Sequence, residues 1–187
     1  MKRSGLLRMV TLSMFVAIGV VISPILRVEG LCPTAHLVNI VAAVFMGPWY
    51  ALLNAFMIGI IRMTLMSIPP LALTGAVFGA FLSGVFYRLS KGNILAAVAG
   101  EVVGTGLIGS IVSYPVMSML YGKTDITWMF YVPSFLLATL MGGSVAYLFL
   151  NALRANGTLY KIQKELGVHS YERSKSLMRW KTSHEGK

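Results

Sequence analysis

The sequence predicts an all-α integral membrane protein, a bundle of six transmembrane helices, and three observations carry that expectation. Of its 187 residues 56% are hydrophobic and only 12% are charged. The apolar runs between Met9 and Leu153 are long enough to cross a hydrocarbon core about 30 Å thick, which takes roughly 20 residues of helix. The runs are also uniformly apolar, whereas a barrel strand alternates in polarity over about ten residues. Helices and closed barrels are the spanning solutions open to a chain that must satisfy its backbone polar groups in lipid, and the pattern selects helices.

The first span is read at residues 6–26, with a turn signal at Ser23-Pro24. A basic stretch holding Lys2, Arg3 and Arg8 leads into it. A cleavable signal peptide would have a shorter apolar core and a small-residue cleavage site, so this span is expected to stay. A polar loop over residues 27–34, with Glu29, Gly30 and Cys32-Pro33, follows it. Apolar character resumes at His36 and runs to Met66, broken only at Gly47-Pro48.

That long segment is read as two antiparallel helices, 34–46 and 48–66, because proline disfavours helix in the residue before it. The first of the pair is only about 20 Å long at 1.5 Å per residue, so its neighbours must hold it. The fourth span is read at residues 70–89, closed by Arg88 and Lys91, and the fifth from Asn93 to Tyr114-Pro115. A loop through Gly122-Lys123-Thr124-Asp125 leads to the sixth, residues 128–150.

Positive charge supports this count. Six spans leave thirteen Lys/Arg on the cytoplasmic side and only Arg27 and Lys123 outside. Five spans strand Lys2, Arg3 and Arg8 on the wrong face. The predicted location is therefore the cell membrane, with both termini cytoplasmic. Residues 1–154 form the membrane domain and residues 155–187 a basic cytoplasmic C-terminal tail, partly helical, with Ile162, Leu166 and Val168 at loosely helical spacing. Much of the basic charge behind the net +10, seven of the sixteen Lys/Arg, lies in that tail. Beside a membrane domain its expected neighbour is anionic lipid rather than nucleic acid.

Within the apolar runs lie two full charges, Arg62 and Glu101. At bilayer depth each costs roughly 2.5–3.5 kcal/mol on insertion scales, so it persists when paired, snorkelled or used. Six other charged residues, Arg27, Glu29, Arg88, Lys91, Lys123 and Asp125, sit where Pro, Gly or polar residues already break the pattern. The single Cys32 and the scattered His36, His169 and His184 form no metal-ligand spacing. Neither a metal nor a cofactor is expected. An intramembrane protease would have to be assembled from Gly142-Gly143-Ser144 and His36, which no catalytic motif frames, so no enzymatic activity is expected.

Small residues mark where helices touch, since association in lipid relies on close backbone approach. Gly75, Gly79 and Ser83 lie four apart on the fourth span, Gly100 and Gly104 on the fifth, and Gly142-Gly143 on the sixth. Internal packing accounts for these. Ser13 and Ala17, four apart on the first span, suit internal packing and docking of a partner equally.

The segment Cys32-Pro33-Thr34-Ala35-His36-Leu37-Val38-Asn39, followed by Ala42-Ala43 and Gly47-Pro48-Trp49-Tyr50-Ala51, resembles the substrate-binding S components of energy-coupling factor (ECF) vitamin transporters. It is most similar to the ThiW type, associated with the thiazole precursor of thiamine. The resemblance covers residues 6–152. The Gly-Pro turn after a short second helix is common to many S components, while the Cys-Pro-Thr-Ala-His-Leu-Val-Asn run and Arg62 point to the ThiW type. The resemblance implies an S-component-like six-helix fold without an ATPase of its own. It implies capture of a vitamin precursor outside the cell, then association with a transmembrane T component and two cytoplasmic ATPases and toppling in the membrane to release it. It also implies docking of the T component through an Ala-x-x-x-Ala motif on the first helix, where this chain has Ser13 and Ala17.

A small heteroaromatic ligand needs a mostly apolar pocket with a few oriented polar groups and an aromatic face. His36 and Asn39, one turn apart at the outer start of the second helix, are candidates. So is Arg62, about 21 Å along the third helix from Pro48, and so are Tyr114, Trp128 and Tyr131 around the outer loop before the sixth. Glu101 lies deeper, about 12 Å in from Asn93. His36 equally suits a helix cap, Asn39 an interhelical bond, and the three aromatics interfacial anchors. Arg62 either snorkels, pairs with Glu101 across roughly 9 Å of depth, or holds an anionic or hydroxyl end of the ligand. Glu101 then accepts from, or pairs with, the heterocycle. An S component for another vitamin and a self-sufficient small transporter are the competing readings. The latter usually shows inverted repeats or more spans, and no internal repeat is evident.

Overall fold

A short helix of fourteen residues, starting at Pro33, runs down the middle of the molecule and organises everything around it. In a computed structural model of the chain, residues 3–24, 32–122 and 126–171 are described, and all regular structure among them is helical. Helix α1 spans Arg3–Ile22, α2 Pro33–Met46, α3 Pro48–Met66 and α4 Leu71–Leu89. Helix α5, Ile94–Glu101, passes without a break into a π-helical stretch, Val102–Gly109, and then into α6, Ser110–Tyr121. Helix α7 spans Val132–Ala155 and α8 Thr158–Glu165. The expected loop charges Arg27, Glu29, Lys123 and Asp125, and the tail from residue 172, lie outside the described residues.

Five helical segments, α1, α3, α4, the continuous α5–α6 run and α7, are long and apolar enough to cross a membrane. Helix α2 is apolar but has 14 residues, about 20 Å of helix against a 30 Å core. Its sides explain how it is kept. Twelve of its residues are buried, and it packs against α1, α3, α4, α5, α7 and α8. The outer helices turn large apolar side chains such as Leu65, Met119 and Leu148 outward, as a surface in hydrocarbon requires.

The break between α2 and α3 is chemical as well as geometric. Gly47 has φ 87° and its N–H closes α2 on Ala43 O. Pro48 then opens α3 at a position where its missing N–H costs nothing. A residue with a Cβ is strained at this φ. Ala43, Ala51, Ala55 and Ala80 meet just above the turn, so α2, α3 and α4 lie close together.

Three expected spans shift. The first, read at 6–26, is helical over Arg3–Ile22 and ends in the turn at Ser23-Pro24. The fifth span runs past Tyr114-Pro115 to Tyr121, with Pro115 inside α6, because helices in lipid tolerate proline where neighbours re-satisfy the freed groups. The sixth begins at Val132, not 128, and ends at Ala155; residues 128–131 form a turn with Tyr131 as N-cap.

Glycines set the α4 packing. A Cβ at Gly104 would sit 2.6 Å from Gly79 Cα, one at Gly100 would sit 2.5 Å from Leu82 O, and one at Gly109 would sit 2.9 Å from Gly75 O. The small-residue stripes of the fourth and fifth spans thus interlock antiparallel, allowing backbone-to-backbone contact. Beyond α7 the chain folds back under the bundle. Leu159 and Leu166 are buried in the main core with Ile40, Val44, Tyr87 and Leu150. Gln163, fully buried, donates through Nε2 to Val44 O at 2.9 Å and Tyr87 Oη at 3.1 Å. Val44 O is among the last carbonyls of α2, which have no partner within the helix. Arg8 on α1 in turn donates to Leu166 O and Gly167 O.

Candidate functional site: a buried carboxylate between three helices

Glu101 closes α5 and is 0% exposed. Its Oε1 accepts from Asn39 Nδ2 at 3.2 Å and from Thr105 Oγ1 at 3.1 Å, and lies 2.8 Å from His36 Nδ1. With Glu101 ionised, His36 holds its hydrogen on Nδ1 and donates it. Three donors thus converge on one oxygen, which is how a charge at this depth is offset. The other oxygen, Oε2, is buried and has no hydrogen-bond partner.

Each donor is placed by its helix. His36 and Asn39 are three apart on α2, so they share a face one turn apart. Asn39 is fixed further by a 3.4 Å bond to Ala76 O on α4. Thr105 follows Glu101 by four residues in the π-helical stretch. Such stretches frequently occur at functional sites, where they re-aim side chains. Gly79 on α4 lies against one side of the carboxylate, where a Cβ would sit 2.0 Å from Thr105 Oγ1 and 2.8 Å from Glu101 Oε2. Asn39 and Glu101 are each about 10 Å along their helices from the basic end and His36 about 15 Å. The cluster therefore lies near mid-depth.

Arg62 stands apart. It is 4% exposed, so it does not snorkel, and its Nη2 donates to Cys32 Sγ at 3.8 Å while Nε is buried without a partner. Among the described residues the ion pair formed by Glu101 is with His36, not Arg62. Arg62 lies about 21 Å from Pro48 and Asn39 about 10 Å from the same turn; that difference in level separates them. Cys32 Sγ also donates to Ser23 O at 3.1 Å, joining the start of α2 to the end of α1.

The three aromatic candidates lie elsewhere. Tyr131 is buried with Met117 and Phe135, Tyr114 is half-buried on α6, and Trp128 is 54% exposed in the turn before α7. The expected site residues therefore divide: His36, Asn39 and Glu101 meet, Arg62 sits one level outward, and the aromatics lie on the α6–α7 side. Sequence reasoning passed over Thr105, and it named Cys32 and Gly79 only for the family run and for helix packing, not as site residues. The four-residue spacing of Glu101 and Thr105 on one helix was the available signal. Ser13 and Ala17 both lie on the exposed face of α1, with Ser13 Oγ bonded to Met9 O at 3.0 Å. That stripe does not serve packing within the bundle.

A multi-pass helical membrane protein with an ionisable, hydrogen-bonded cluster held inside its bundle is the class these features define. The family model described as "Thiamine-precursor transporter protein (ThiW)" matches residues 9–156, and the chain belongs to that family of membrane transporters. No curated protein and no solved structure matches the chain.

Proposed function

We propose that this protein is the substrate-capturing S component of an ECF-type importer. It takes a thiamine precursor, hydroxyethylthiazole or a close relative, from outside the cell and delivers it with a T component and two cytoplasmic ATPases. In this reading all six apolar helices, α2 included, make up the spanning bundle in the cell membrane, both termini are cytoplasmic, and the protein is not itself an enzyme. The observation that carries the ligand reading is the unequal use of the Glu101 carboxylate: Oε1 is saturated by His36, Asn39 and Thr105, and Oε2 is buried and open.

An open carboxylate oxygen wants a donor, and the hydroxyl of a hydroxyethylthiazole is one. His36, Asn39 and Thr105 hold the acceptor in place before the ligand arrives, which lowers the ordering cost of binding. In this reading Arg62, one level outward, faces the entering end of the ligand, while Tyr114, Trp128 and Tyr131, on the α6–α7 side, border the outer entrance rather than the carboxylate. The exposed Ser13 and Ala17 on α1 offer the T component a lipid-facing surface of close approach.

Calorimetric titration of hydroxyethylthiazole into the purified protein tests the site. Glu101→Gln keeps the shape but removes the charge, and affinity should fall at least about tenfold, the range for a hydrogen bond to a charged group. Unchanged affinity reduces Glu101 to a structural residue. Transport is tested in proteoliposomes. The protein alone should bind without accumulating, and accumulation should require the T component and both ATPases. Accumulation driven by an ion gradient alone would sink the importer reading.

A further inference from the structure

At the basic end of the bundle, away from the Glu101 cluster, the structure holds a cavity of about 290 Å³. Its walls come from the end of α2 and the turn after it (Ala43, Val44, Gly47), the end of α4 (Tyr87, Arg88) and the segment after α8 (Val168, His169, Tyr171). The rings form one side: Tyr171 packs edge-on against Tyr87 at 5.8 Å and against His169 at 4.7 Å between centroids. Arg88 lies flat against Gly47, where a Cβ would come within 2.3 Å of its Nη2. Glycine at the turn thus makes room for the guanidinium as well as for the positive φ.

Arg88 has neither a hydrogen-bond nor an ion-pair partner among the described residues. Five donors on a planar cation facing a cavity with no carboxylate in its wall among the described residues match a phosphate oxygen fork. The surroundings reinforce the sign. Arg8, Lys91, Arg154, Lys161 and Lys164 share this end with Glu165, which is the acidic residue there among those described. The neighbours also suggest the source. Leu89, next to Arg88, is 76% exposed, and Trp49, two residues past Gly47, is 67% exposed with its ring packed on Phe81. Exposed tryptophan and leucine beside cations at the ends of spanning helices describe a headgroup-level surface.

We propose that this cavity binds a phosphate-bearing anion on Arg88, with the headgroup of an acidic phospholipid as its source. The site is independent of the transported ligand and of the reading of Glu101.

Native mass spectrometry of the full-length protein tests it, with added phosphatidylglycerol, phosphatidylcholine, or the soluble probe glycerol 3-phosphate. Phosphatidylglycerol should be retained in preference to phosphatidylcholine. Arg88→Gln should lower that retention about fivefold, as expected for one cation at the membrane surface, and Arg88→Lys should recover part of it. Val168→Trp, which fills the cavity and alters no charge, should lower retention as well, whereas Lys161→Gln on the exposed face of α8 should leave it. Equal retention by wild type and Arg88→Gln, with both folded by thermal unfolding, overturns the proposal. So does retention that survives Val168→Trp, because charge alone then explains it. Arg88-dependent binding of glycerol 3-phosphate without any preference for phosphatidylglycerol upholds the anion site and moves its source to a soluble phosphate ester.

Discussion

Gly79 shows how closely the buried carboxylate is fitted. It lies opposite Gly104 and against both Thr105 Oγ1 and the open oxygen of Glu101, so a methyl group there has nowhere to go. Gly79→Ala should therefore separate α4 from the π-helical stretch and cost about 1–3 kcal/mol, the usual range for overpacking. A lowered unfolding midpoint in detergent, with ligand affinity falling alongside it, is the expected result. A similar Gly→Ala change at Gly5, where a Cβ meets nothing within 4 Å, should leave both unchanged. Arg62 and Glu101 were visible in sequence because each charge stands out against apolar neighbours. Their partners were not. The bonds from Glu101 to His36 and Asn39 join residues 65 and 62 apart in the chain, and only the packing of α2 against α5 brings them together. Arg62 and Glu101 invite pairing on charge alone, but α3 and α5 run parallel from the basic end and carry them at different levels, about 21 Å and about 10 Å along.

Among the elements, α8 is the one whose role its composition conceals. Its sequence is polar, yet one face is buried, and Gln163 satisfies a carbonyl left free by the end of α2. Gln163→Leu removes both donated bonds and leaves Val44 O without a partner, which should cost about 1–3 kcal/mol locally. Limited proteolysis should then cut at the Asn156–Gly157 turn at a rate several-fold above wild type, while α1–α7 stay protected. An unchanged cutting rate would show that the apolar contacts of Leu159 and Leu166 suffice. The helices themselves were largely legible, because apolar runs bounded by Gly, Pro and charge are strong signals. The Gly47-Pro48 break was read correctly for the same reason. Pro115 misled because a rule for soluble helices was carried into lipid, where neighbouring helices satisfy the freed carbonyl. The start of α7 was missed because Tyr131 caps it without a side-chain hydrogen bond, so no polar N-cap residue marked it.

For the molecule as a whole, the two ends differ sharply in charge, and Cys32 offers a way to tell which faces which side. It is the single cysteine, half-buried between α1 and α2 at the end opposite the Arg8–Gly167 contact. If the basic end is cytoplasmic, a membrane-impermeant maleimide should modify Cys32 on intact cells, and hydroxyethylthiazole should slow that reaction. Labelling only after the membrane is opened would reverse the proposed orientation. The central, buried placement of α2 also bears on how the protein is made. A 14-residue helix carrying His36 and Asn39 is too short and too polar to rest in lipid by itself. As the chain emerges, α2 must enter joined to α3 as a hairpin and wait, incompletely covered, until α5 brings Glu101 and α7 closes over it. Synthesis is therefore a period of exposure that ends only with the last long helix. A chain stopped before residue 132 should be degraded by membrane quality control in pulse–chase, although four of its five long helices are already complete.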